Sequence, residues 1–89
     1  MTTLREFKAK YLARLLNLKK QLLEKYPERA DRVNYIVELL ASKLEHLRTF
    51  TLTDYLFTLH LAAKEFRELE ELVPPQQEVE ELLEHTGAE

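Results

Sequence analysis

Cysteine is absent from this 89-residue sequence, which excludes a disulfide framework and any thiolate metal site. Glycine occurs once, at Gly87, so there is no Gly-rich loop to cradle a phosphate. β-Branched residues are few, and Leu, Glu, Lys and Arg dominate, a mix that favours helix over sheet. Long apolar runs are missing too. The most apolar stretch, LTDYLFTLHLAAKEF at residues 52 to 66, falls short of the roughly 20 residues that a bilayer span needs. The opening MTTLREF lacks the apolar core of a signal peptide, which sets a cytoplasmic protein as the expectation. Asn, Met and Cys are scarce beside Glu, Lys and Arg, a balance that fits a thermophilic source.

What is present suits one small folded domain. Apolar residues make up 45% and charged residues 33%, which argues against disorder. The formal net charge of −3 hides an asymmetry. Residues 1 to 32 carry nine Lys or Arg against four acids, and residues 67 to 89 carry one Arg against eight Glu. Such a basic end can bind nucleic acid, or the two ends can pair within one molecule or between two. The simplest reading is two solvated faces that differ in sign.

Residues 52 to 66 organise the chain. On a helical wheel Tyr55, Leu59, Ala62 and Phe66 form one stripe, while Phe57 and Leu61 point nearly the opposite way. Only the arc through His60, Lys64 and Arg67 is polar. A helix so nearly apolar all round is buried, in its own domain or against a partner.

Three long helices are expected. The first runs from Leu4 to Lys25, opened by a Thr3–Glu6 capping box and ended by Pro27. Its apolar positions Leu4, Phe7, Tyr11, Leu15, Leu18, Leu22 and Tyr26 are spaced 3-4-4-3-4-4, the stripe of a nearly straight helix. Leu12, Leu16 and Leu23 form a second row. The second helix runs from Glu28 to Arg48 on a stripe of Val33, Ile36, Val37, Leu40, Leu44 and Leu47. Tyr35, Leu39, Ser42, His46 and Phe50 lie off that stripe. The third helix takes Thr53 as its N-cap and Asp54 in its first turn, and ends near Leu72. After Pro74 and Pro75 a short acidic helix, about Pro75 to His85, offers Val79, Leu82 and Leu83. The expected fold is all-α. An antiparallel three-helix bundle fills residues 1–73, and a Pro-Pro hinge with a short acidic fourth helix fills residues 74–89.

Two functional expectations follow from different surfaces. The main stripes supply a core and leave Leu39, Phe50, Phe57 and Leu61 unpartnered, with His46 and His60 at their rim. Monomers rarely expose such a patch, so a homodimer built on it is the leading expectation. The acidic tail, the second leucine row or another protein are the competing covers. The alternative is a nucleic-acid module, in which Lys10, Arg14 and Lys25 share one flank of the first helix and touch phosphates. A helix-turn-helix over residues 44 to 58 would set Asp54 against DNA, which counts against base reading. The acidic tail opposes binding to an anionic membrane surface. No enzyme, metal or cofactor is expected. His46, His60 and His85 are not spaced as a metal site, Glu81 and His85 pair only on the glutamate-rich fourth helix, and no activated nucleophile is evident. The leading reading is therefore a small helical interaction protein or accessory subunit.

Overall fold

The computed structural model describes residues 2–84. Its first helix, α1 (Leu4–Lys25), opens on Thr3. The Thr3 hydroxyl accepts the Glu6 N–H at 3.2 Å and donates to the Glu6 carboxylate at 3.0 Å, so the box closes on the cap hydroxyl. Tyr26 leaves the helix at φ −125°, ψ 60°, ahead of Pro27. Leu4, Phe7, Tyr11, Leu15, Leu18 and Leu22 are all buried. Leu12 and Leu23 are half-buried, and Leu16 is exposed.

The second helix is shorter than expected at both ends. Pro27–Arg29 forms a 3-10 turn instead, in which the Arg29 N–H donates to the Tyr26 carbonyl at 2.9 Å. α2 then spans Ala30–Glu45. At its end the Leu47 N–H bonds the Leu44 carbonyl at 3.2 Å, an i to i−3 bond that tightens the last turn and swings Leu47 fully into the core.

The third helix differs most. It opens at Leu52 with Thr51 rather than Thr53 at the N-cap position, and the Thr51 side chain braces the preceding turn instead of bonding an N–H of the helix. After the 3-10 turn Thr49–Thr51, Thr51 Oγ1 accepts the Arg48 N–H at 2.9 Å and the Thr51 N–H donates to the Arg48 carbonyl at 3.0 Å. α3 spans Leu52–Glu65, and Asp54 does sit in its first turn. The helix does not reach Leu72. Phe66 is extended (φ −127°, ψ 97°), and Arg67–Leu72 continues as a 3-10 helix. The cause is spacing. Phe66, Leu69 and Leu72 recur every three residues, and three residues per turn stacks them on one face. All three are fully buried as a result.

α4 spans Gln76–Glu84. Leu82 is buried, Val79 half-buried and Leu83 exposed. His85 and Gly87 lie outside the described residues. No strand occurs among the described residues, and the protein is all-α. One apolar cluster joins all four helices and the last 3-10 segment. Lys43 meets Asp54 near one end of the α2–α3 pair and Arg32 meets Glu65 near the other, so these two helices run in opposite directions. The folded chain measures 42 × 19 × 18 Å. No helix among the described residues is long and apolar enough to cross a membrane.

Candidate functional site

α2 and α3 each bury one stripe and leave a second row outward. Leu39 follows Tyr35 by four residues, and Leu61 follows Phe57 by four, so each pair stacks along one helix face. Tyr35, Leu39, Thr58 and Leu61 line a groove of about 260 Å³ between the two helices. Phe57 is 62% exposed and Leu61 50%. Phe50, on the 3-10 turn that joins the helices, is 86% exposed. Among the described residues, none of α4 and none of the second row of α1 lines this groove.

Paired charges close the face at both ends. Glu65 takes two bonds from Arg32, Nε at 2.8 Å and a terminal nitrogen at 2.9 Å, and a further bond from Arg29. The Arg32 hydrogen bonds hold the Glu65 carboxyl below the usual carboxylate range and raise the guanidinium in turn. The Arg32 guanidinium also lies 5.4 Å from the centre of the Tyr35 ring. At the other end Lys43 Nζ meets Asp54 Oδ2 at 2.6 Å.

His46 sits beside this second pair and is exposed. Its Nδ1–H donates to the Ser42 carbonyl at 2.9 Å. His60, expected at the rim of the same face, instead lines a different cavity, of about 420 Å³, with Ala63, Lys64, Glu70 and Val73. Among the described residues no group of three or more His, Asp or Glu is placed to hold a metal.

The basic flank of α1 is engaged by the acidic end of the chain. Lys10 Nζ bridges both oxygens of Glu78, at 3.2 and 3.3 Å. Glu78 is nearly buried and also accepts the Tyr11 hydroxyl at 3.3 Å. Burial, then the Glu78 charge, pushes the Tyr11 hydroxyl up from its ordinary value. Glu81 accepts the Thr2 N–H at 3.1 Å. Lys25 bonds Glu68 at 2.6 Å, which lowers the carboxyl and raises the amine. Arg14 places its Cζ 5.2 Å from the Tyr11 ring centre. Of Lys10, Arg14 and Lys25, two are therefore in ion pairs and the third is laid over an aromatic ring.

Sequence reasoning missed Glu65, Glu68 and Glu78 as acceptors of several donors each. Their surplus of negative charge was visible, but their partners depend on register between helices. It also missed Tyr55, whose hydroxyl is buried with no hydrogen-bond partner among the described residues. Burial drives that hydroxyl well above the usual tyrosine range.

Fold and surface together define an all-α protein with an exposed apolar helical face. No protein-family model matches the chain, and neither a curated protein nor a solved structure does.

Proposed function

We propose that the chain is a small, non-catalytic interaction protein that pairs with a second copy of itself. In this reading it is an antiparallel three-helix bundle, with α4 as its short acidic fourth helix. Leu39, Phe50, Phe57 and Leu61 form the interface, and His46 stands at its edge. The observation that carries the reading is the exposed apolar face beside the α2–α3 groove.

Its charges favour a copy of itself as the cover. Near a two-fold axis each residue meets its own counterpart, so unpaired charge would meet like charge. Here Arg29 and Arg32 are paired with Glu65, and Lys43 with Asp54, within the chain. The face can close on itself without that repulsion. A different protein in the same place would make the chain an accessory subunit. The cysteine-free composition supports a cytoplasmic setting.

Nucleic-acid binding through Lys10, Arg14 and Lys25 is the weaker reading. Phosphate would have to displace Glu78 and Glu68 from two of the three cations. Substitution tests the leading one. Phe57→Glu and Leu61→Glu should each turn the dimer into a monomer while the helical circular dichroism signal is retained. If both variants stay associated, the interface lies elsewhere.

A further inference from the structure

The outward stripe of α3 does not end with its apolar residues. Phe57, His60, Leu61 and Lys64 follow one another at i, i+3, i+4 and i+7, so they share one helix face, and all four are exposed. The 3-10 segment Arg67–Leu72 packs beside α3. Between the two lies the cavity of about 420 Å³, on the far side of the stripe from the α2–α3 groove. Buried Ala63 and half-buried Val73 line it together with His60, Lys64 and Glu70. Lys64 stands on its α3 wall and Glu70 on its 3-10 wall.

These two charges differ from their neighbours. Asp54, Glu65 and Glu68 each take a cation of their own chain. The side chains of Lys64 and Glu70 make no ion pair or hydrogen bond among the described residues, although they line one cavity and carry opposite signs. Lys64 also lies on the stripe that holds Phe57 and Leu61. Any surface that covers those two apolar residues must therefore deal with its charge.

We infer that the two-fold axis of the self-paired chain runs through this cavity, so that Lys64 of each copy pairs with Glu70 of the other. The inference rests on the self-association proposed above. A two-fold axis lies in the plane of the interface it generates, and it sets each group opposite whatever stands at the matching place on its far side. An axis at Lys64 itself would set Lys64 against Lys64. An axis between the two walls sets Lys64 opposite Glu70 twice. Phe57 and Leu61 then supply apolar attraction, which has no direction. The reciprocal charge pairs supply the register. A foreign protein would need an anion and a cation placed at the right separation, whereas a second copy carries both at that separation by its own construction.

Charge reversal in the full chain tests this, with dimer dissociation read by sedimentation equilibrium at low salt and helicity by circular dichroism. Lys64→Glu and Glu70→Lys should each make the dimer dissociate about tenfold more readily, because both contacts then oppose like charges. Helicity should hold, since both side chains are exposed. An equimolar mixture of the two variants should associate as the native chain does. In the mixed dimer the two introduced side chains face each other at one contact, and the native Lys64 and Glu70 face each other at the second. The Lys64→Glu/Glu70→Lys double variant should associate alone for the same reason. Single variants that associate as tightly as the native chain would overturn the inference and leave pairing through Phe57 and Leu61 standing. So would a mixture no tighter than either variant by itself. A native chain that stays monomeric would overturn the self-association and this inference together.

Discussion

Tyr55 holds a polar atom in the core without a hydrogen-bond partner among the described residues, next to a tyrosine that has one. A buried hydroxyl left unbonded costs about 1–3 kcal/mol. Tyr55→Phe should therefore leave stability unchanged or raise it by about 1 kcal/mol, read from urea unfolding. A clear loss would mean that the hydroxyl is bonded in solution. The acids behave differently. Arg32 and Lys25 hold the carboxyls of Glu65 and Glu68 below their ordinary value of 4.5. Groups shifted down contribute stability that is fully present above the unfolded value and lost as pH falls through the folded one. Thermal melts should show this contribution in full at pH 6 and its progressive loss as the pH is taken down through and below 4.5. The effect is small, because solvent screens both pairs. A Glu65→Gln/Glu68→Gln variant should fall less over that window, and an identical fall would show that neither pair matters. At this scale the exposure of Phe57 and Leu61 was legible from a helical wheel. The partners of Glu65 and Glu68 were not, because a wheel says nothing of the neighbouring helix.

Each main stripe read from apolar spacing is a buried stripe of the structure, apart from Tyr26, which is half-buried at the C-cap of α1, and the bounds of α1 match those expected. The ends of the other helices were less legible. Pro27 announces a break but not the 3-10 turn that follows it, and threonines at alternate positions in TFTLT compete for the cap. The break at Phe66 had a signal in the three-residue spacing of Phe66, Leu69 and Leu72, but a 3-10 run of six residues is unusually long. α4 is an appended element. It adds Leu82 and part of Val79 to the core, together with the Glu78 pair. Deleting residues 76–89 should cost about 2–3 kcal/mol, close to the burial of one leucine. The remaining chain should still unfold cooperatively by circular dichroism. Loss of the helical signal on truncation would make α4 essential to the core.

At the scale of the whole molecule, opposite charges of the two ends meet inside one chain through Lys10–Glu78 and Lys25–Glu68. Composition offered that pairing alongside pairing between molecules and binding to nucleic acid, and could not choose among them. Choosing required the fold, which brings α4 back along the start of α1. With the ends engaged, the apolar face of α2 and α3 is the surface on which the proposed association rests. A stable dimer commonly buries about 800 Å² from each partner, and large apolar side chains near the centre dominate its energy. Phe57 and Leu61 are the anchors this account assigns to that centre. Light scattering coupled to size exclusion, on the native chain across micromolar concentrations, tests the claim most directly. The account predicts a mass twice that of the 10.6 kDa chain, and a mass of 10.6 kDa throughout would contradict it.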